Sequence, residues 1–251
     1  FPDNTRTIKL IEQEKRTGKC SMLNLLVSEA KGEILVFTDA RQRLACNALL
    51  DLTKYFGDKE VGSVSGELMY ENDGVEQSEG GMGLYWKYEN FIRKSESRLG
   101  SMIGATGAFY GFRKELFPVL PEDLVIDDLY VPMKVVEKGF RAIFSDQSKA
   151  YDRIFINPKA EFVRKARNLA GTYQFFYYVL KSFSHFSWIF LWQLFSHRFL
   201  RLMIPFLLIS LFASNIFVLS KNFYLIFLLL QIVFYILALF GWLFKNRSCL
   251  L

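Results

Sequence analysis

The residues in this 251-residue chain with the types and spacing for chemistry fall into a few short clusters. Asp39 follows the apolar run Ile34-Leu35-Val36-Phe37 and Thr38. Ligands gather beyond the carboxyl ends of strands in open α/β sheets, and a carboxylate there can hold a divalent cation that neutralises a diphosphate. An Asp in that place is also an ordinary turn or helix-capping residue. Asp127-Asp128 stand between Val125-Ile126 and a helical pattern. A carboxylate here could act as general base toward an acceptor hydroxyl, and two carboxylates at a helix start are equally what the macrodipole favours. Arg164 and Arg167, i and i+3 on a helix, share a face and could grip one anion, or form a basic collar near anionic lipid. The small residues Gly104-Ala105-Thr106-Gly107-Ala108 let backbone approach a ligand closely, or simply turn the chain. Lys19 and Asn24 are similarly open, and their stretch lacks the second glycine-rich element of a phosphate-binding loop.

These clusters need a scaffold. Ile34 to Phe37, Val61 to Leu68, Ala108 to Phe112 and Arg141 to Phe144 are strand-like, whereas Leu49 to Tyr55 and Leu84 to Leu99 are helical in pattern. Strands alternating with helices predict an α/β domain over residues 1–160 with a mostly parallel central sheet. No internal repeat or low-complexity linker interrupts it.

Charge divides the chain. All 25 acidic residues lie at or before Glu161, while nine of the 31 basic residues follow it, so the first 161 residues carry −3 and the remainder +9. The sequence pI of about 9.1 therefore belongs to a basic tail. A nucleic-acid binder would carry its basic patch on the folded domain, so nucleic acid is not an expected partner. An acid-free tail in a chain with 26 Phe reads as membrane and membrane surface. Cys20, Cys46 and Cys249 are odd in number and have no His at metal-ligand spacing, which predicts reduced thiols in a cytosolic compartment.

The runs 202–219 and 223–244 contain no charge, and each reaches the ~20 residues needed to cross a ~30 Å hydrocarbon core. Ser220-Lys221-Asn222 joins them into a hairpin. Arg198 and Arg201 precede it, and Lys245 and Arg247 follow, so the positive-inside rule places both ends and the large domain in the cytoplasm. The expected setting is a multi-pass protein of the inner membrane, with residues 245–251 a cytosolic end. Between domain and hairpin, residues 161–201 are basic and aromatic. They read as interfacial helices in the headgroup plane, or as buried helices of the domain.

The order of the pieces carries more than any one of them. Gly18-Lys19 to Leu23-Asn24 is followed by strand-Thr38-Asp39-Ala40, then Val61-Gly62-Ser63-Val64-Ser65-Gly66 and Tyr85-Trp86-Lys87-Tyr88-Glu89. The Gly104 to Gly107 loop with Arg113, Asp127-Asp128, the Arg164 to Arg167 segment and the membrane runs complete the series. This succession resembles family 2 glycosyltransferases, especially the bacterial membrane-bound branch of cellulose, hyaluronan and poly-N-acetylglucosamine synthases. The resemblance implies a GT-A-like fold and inverting transfer of a sugar from a nucleotide-diphosphate donor, with a UDP-sugar favoured and Mg2+ or Mn2+ as cofactor. The acceptor would be a saccharide, in cell-surface or extracellular polysaccharide synthesis.

By the same resemblance, Asp39 looks like the first Asp of the metal-binding Asp-x-Asp motif, and Asp128 like the catalytic base. Asp127, Gly104, Thr106, Gly107 and Arg164 fall among substrate-binding positions, Lys19 and Asn24 on the nucleotide side, and Arg167 on the diphosphate. The chain also departs from the pattern. Arg41 stands where the second Asp belongs, and Arg164-Lys165-Ala166-Arg167-Asn168 occupies the place of Gln-x-x-Arg-Trp in processive synthases. The family's opening strand, with its own Asp, is expected ahead of Phe1, which makes the chain an expected fragment. Transfer of a single sugar to a lipid carrier or head group, and a non-catalytic membrane protein with a transferase-like domain, are the competing readings.

Overall fold

A computed structural model describes residues 9–12, 17–72, 75–76, 81–153, 158–218 and 222–245. The chain divides into two compact units between Leu194 and Phe195. The end 246–251 and Ser220 and Lys221 of the expected connection lie outside the described residues, whereas its third residue, Asn222, opens the last helix.

The first unit runs α1 (Lys19–Glu29), β1 (Ile34–Thr38), β2 (Arg43–Leu44), α2 (Ala48–Thr53), β3 (Val61–Asn72), β4 (Val75–Glu76), α3 (Gly81–Leu99), β5 (Phe109–Arg113), α4 (Asp127–Glu137), β6 (Arg141–Arg153), α5 (Pro158–Lys181) and α6 (Trp188–Gln193). The strand order is β1-β5-β3-β6-β2, with β4 paired to β3. The expectation of a mostly parallel sheet is corrected here. Only β3 and β6 pair parallel, whereas β1–β5, β3–β5, β2–β6 and β3–β4 are antiparallel. Strand–helix alternation sets the layers of a domain but not the direction in which each strand is inserted. β5 enters between β1 and β3 and runs against both.

Helices cover both faces of this sheet, and the period of two along each strand explains why. In β5, Tyr110 and Phe112 join a core with Leu23 and Val27 of α1, Leu129 and Met133 of α4, and Phe175 and Val179 of α5. Phe109, pointing the other way, packs with Ala48 and Leu52 of α2 and with Val64 and Ile143. Fully burying a large apolar side chain contributes roughly 1.5–3 kcal/mol, so these two layers fix the strands that deliver the site.

The segment read as interfacial has two faces. Phe175 and Val179 of α5, then Phe186 and Phe190, are buried in the domain core. Phe162, Val163, Leu169, Tyr173, Tyr177 and Leu180 are exposed.

The second unit contains α7 (Leu200–Phe217) and α8 (Asn222–Lys245), which pack together. Trp188–Phe217 and Tyr224–Gly241 are long and apolar enough to cross a membrane, and only 11% and 6% of those windows is buried, unlike the core helices of a soluble domain. Three polar side chains of α7 and α8 form one network across the pair. Asn215 donates to Gln231 at 3.1 Å, Gln231 donates to Tyr235 at 2.8 Å and to the Leu208 carbonyl at 3.1 Å, and Tyr235 donates to the same carbonyl at 3.1 Å. Such pairing satisfies groups that hydrocarbon would leave unsolvated.

Candidate functional site

Strand register assembles the site. Thr38 at the end of β1 lies opposite Phe109 at the start of β5, so the 104–108 loop emerges beside Asp39. The Asp39 N–H donates to the Ala108 carbonyl at 3.3 Å. The loop is then tied on three further sides. Thr106 N–H donates to Ser65 Oγ of β3 at 2.8 Å, Arg93 of α3 donates to Thr106 Oγ1, and Ala105 N–H donates to the Asp128 carbonyl at 2.8 Å.

That last bond has a local cause. Pro132 sits inside α4 and has no N–H to offer the carbonyl four residues back, which is that of Asp128. The carbonyl released by proline is the one the loop takes up. The loop can come this close because Gly107 has no side chain, since a Cβ there would lie 2.7 Å from Asp128 Oδ2.

Asp127 and Asp128 open α4, whose N-cap is Ile126, and their carboxylates face different tasks. Asp127 is buried, accepting from Lys19 Nζ at 2.7 Å and from the Tyr110 hydroxyl at 3.2 Å. Burial, then the charges of Asp127 and Asp128, hold the Tyr110 hydroxyl well above its ordinary pKa, so it stays a donor. Burial alone would lower the Lys19 pKa, but Asp127, with Asp128 and Asp39 behind it, carries it net above the ordinary lysine value. Asp128 is half-buried against Gly107. The geometry therefore fixes the Asp127 carboxylate between two donors and sets the Asp128 carboxylate against the 104–107 loop. Cys20 donates to the Leu124 carbonyl at 3.2 Å, and burial pushes its thiol pKa up, an inert setting. Cys46 is exposed and unbridged, and Cys249 lies outside the described residues.

The approach to Asp127 is fixed from α5. A Cβ on Gly171 would lie 2.3 Å from Ile126 Cγ1. Gln174 accepts from Val125 N–H at 3.0 Å and donates to the Asp123 carbonyl at 3.1 Å. The basic, aromatic helix thus presses on the segment that presents the two carboxylates.

The Asp39 end of the site follows β1, where the Asp39 N–H meets Ala108 at the close of the 104–108 loop. Residues 39–42 form a turn closed by Gln42 N–H to the Asp39 carbonyl at 3.0 Å. Arg41 Nη2 and Gln42 Nε2 both reach Asp152 Oδ2, at 3.1 and 3.3 Å. Tyr70 hydrogen-bonds Arg164 and lies in the field of Asp152 and Arg41, while burial is the largest influence raising its pKa. Tyr70 also meets Trp86 edge-on at 5.4 Å, and Arg93 stands over the Trp86 ring at 5.4 Å, which connects this end to the loop.

Of the residues expected from sequence, Lys19, Asp39, Asp127, Asp128, Gly104, Thr106 and Gly107 come together, and Arg164 joins the Asp39 end through Tyr70. Arg167 lies on the exposed surface of α5. Asn24 is placed differently: its amide donates to the Leu120 carbonyl and accepts from the Leu120 N–H, both at 2.9 Å, clamping α1 to the 117–121 segment. Arg113 binds the carbonyls of Val61 and Phe56 at 2.9 and 2.8 Å, a structural post at the far end of β5. Asp152, Tyr110 and Tyr70 are additional site residues that sequence reasoning missed. They sit in strands, where an alternating pattern hides them. Pro132 inside a helical pattern was the one visible signal.

The family resemblance implied Mg2+ or Mn2+. Among the described residues, no group of three or more His, Cys, Asp or Glu side chains is placed to hold a metal ion. Asp127 is committed to Lys19 and Tyr110 and Asp152 to Arg41, which leaves Asp39 at the turn. Arg41, two residues on, is paired with Asp152, and Lys19 acts on Asp39 from its bond with Asp127. Mg2+ wants carboxylates and phosphates around it, and one carboxylate outside any such group is a poor match for that demand.

Residues 2–120, just under half the chain, match the family model described as Glycosyl transferase family 2. No curated protein matches the chain. Among solved structures, the mannosyltransferase PcManGT from Pyrobaculum calidifontis, in complex with GDP-Man and Mn2+, superposes with a TM-score of 0.55 at 21% identity. The superposition covers 89% of this chain and 66% of that one, slightly under two thirds. The fold is thus GT-A-like, a mixed α/β domain, and residues 2–120 of it carry the family 2 glycosyltransferase pattern.

Proposed function

We propose that this chain is a family 2 glycosyltransferase that moves a sugar, with inversion, from a nucleotide-diphosphate donor to a saccharide acceptor at the inner membrane, its catalytic domain cytoplasmic. The single observation that carries the proposal is the division of labour between adjacent carboxylates. Asp127 is fixed by Lys19 and Tyr110, and Asp128, half-buried, is set against Gly107 of the 104–108 loop. In the reaction, an acceptor hydroxyl attacks the anomeric carbon. Its proton passes to an Asp128 oxygen, the new carbon–oxygen bond forms, and the bond to the diphosphate breaks with its electron pair leaving on phosphate. Displacement from the opposite face inverts the centre.

The two apolar helices and the exposed aromatic face of α5 support membrane attachment, with α5 resting in the headgroup region and membrane lipid as a partner. One feature favours transfer of a single sugar to a lipid-linked acceptor over polymer synthesis. Asn168, whose carbonyl accepts from Thr172 at 2.8 Å, stands where processive synthases carry an acceptor-seating Trp. Incubating membranes containing the protein with UDP- and GDP-sugars tests both points. Release of nucleoside diphosphate with a saccharide or glycolipid product is expected, and a product one sugar longer than the acceptor marks single transfer. No release from any donor would defeat the proposal.

A further inference from the structure

The Asp39 turn is built around a cation. Its backbone is closed by Gln42 N–H, and its side chains converge on Asp152, whose own side chain is 4% exposed while that of Arg41 is 59% exposed. Asp152 also accepts from the Arg153 N–H at 2.8 Å, so the carboxylate is held from its own strand end as well. It engages Arg41 through Nη2, and a guanidinium has five N–H donors in a planar fork matched to phosphate oxygens. Around the same turn, Arg164 is bonded to Tyr70, and Lys19 lies within electrostatic reach of Asp39. Arg41 and Arg164 thus stand near Asp152 and Tyr70, two residues and one strand from the carboxylate that the family pattern would give to a metal, and Lys19 acts on that carboxylate from its bond with Asp127.

Resting on the nucleotide-sugar reading above, we propose that Arg41, anchored by buried Asp152, carries the positive charge that a divalent cation carries in a metal-dependent transferase, so that the donor's diphosphate binds this chain without metal. An arginine stays protonated at every accessible pH and needs no solution ion. Arg41 stabilises the negative charge that collects on the leaving diphosphate, with Arg164 nearby on Tyr70. Asp39, left without a metal, is available to accept hydrogen bonds from donor hydroxyls. The Arg41–Asp152 pair is the positioning device: without the buried carboxylate the guanidinium would be free to swing away from the turn.

The test is calorimetric titration of UDP and of GDP into the full chain in lipid nanodiscs, once with EDTA and once with Mn2+. At least one nucleoside diphosphate should bind with EDTA present, at an affinity within about twofold of that in Mn2+. Arg41→Ala should weaken that binding about tenfold or more, the scale of a lost charge-assisted hydrogen bond. Arg41→Gln retains hydrogen bonding to Asp152, so it should keep the melting temperature while losing the same affinity. Binding that appears only with Mn2+ overturns the inference and leaves the transferase reading standing. Unchanged affinity in both variants makes Arg41 a lock for the turn and also overturns it. Binding of neither nucleotide under either condition removes the nucleotide-sugar reading on which the inference rests.

Discussion

The Asp127-Asp128 part of the site and its Asp39 part are built on opposite principles. At the Asp127-Asp128 end, one carboxylate is buried with two donors, the helix beneath it is notched by Pro132, the loop above it is tied to β3, α3 and α4, and α5 presses on the preceding residues. At the Asp39 end, a four-residue turn has two backbone bonds, and its side chains are held by one buried carboxylate, Asp152. A proton-transfer group must be positioned within hydrogen-bond reach of its target, and the many constraints on α4 supply that. Neutralising a diphosphate tolerates looser geometry, because charge acts over distance. The first end is therefore hard to vary, and the second is where one substitution, Arg at position 41, can change the chemistry of donor binding.

Perturbing the crowded end should have the largest consequence. Gly107→Val would drive side-chain atoms into Asp128, and we expect kcat to fall roughly a hundredfold, the scale of an ångström-size misplacement, with nucleoside diphosphate affinity falling clearly less because the Arg41–Asp152 pair is anchored outside the loop. Equal losses in both would erase the distinction between the two ends. At the open end, the Arg41→Ala titration reads the reverse pattern, with affinity reduced.

A smaller effect is expected where α5 meets the base. Gly171→Leu overpacks against Ile126 and should destabilise the protein by about 1–3 kcal/mol. Its melting temperature should fall, whereas Arg167→Ala, on the exposed surface of the same helix, should leave melting unchanged. The reverse order would show that α5 does not brace the Asp127-Asp128 segment.

The smallest expected effect is on pH dependence. The folded-state pKa values of Tyr110 and Lys19 are both raised, the first by burial and carboxylate neighbours, the second by carboxylates acting against burial. Groups raised in the folded state contribute stability that is complete below the unfolded-chain values of about 10 and is lost as pH rises through the folded values. Melting temperature should thus decline above about pH 10, and Tyr110→Phe should flatten that decline while lowering the neutral-pH value. A variant as steep as the parent would remove Tyr110 from the account.

Much of this was legible in the sequence for local reasons. The apolar runs that became β1, β3, β5 and β6, the helical pattern after Asp127-Asp128 and the two uncharged runs are each decided by near neighbours. Strand direction is not, because it depends on where β5 is inserted between β1 and β3. The site divides the same way. Lys19, Asp39, Gly107 and Asp128 stand in short recognisable stretches. Asp152 reads as an ordinary residue at the end of a strand, and only the β2–β6 pairing, with Arg43 opposite Tyr151, brings it to Arg41. Tyr110 likewise reads as core until its hydroxyl meets Asp127.

The most direct test of the central claim is Asp128→Asn in the full-length protein, with donor affinity and nucleoside diphosphate release measured on the same preparation. Loss of a positioned base lowers rate by about 10²–10⁴-fold, and that loss should appear with donor binding unchanged. Release near the parent rate would contradict Asp128 as the base, and loss of donor binding in parallel would make it a donor-site residue instead.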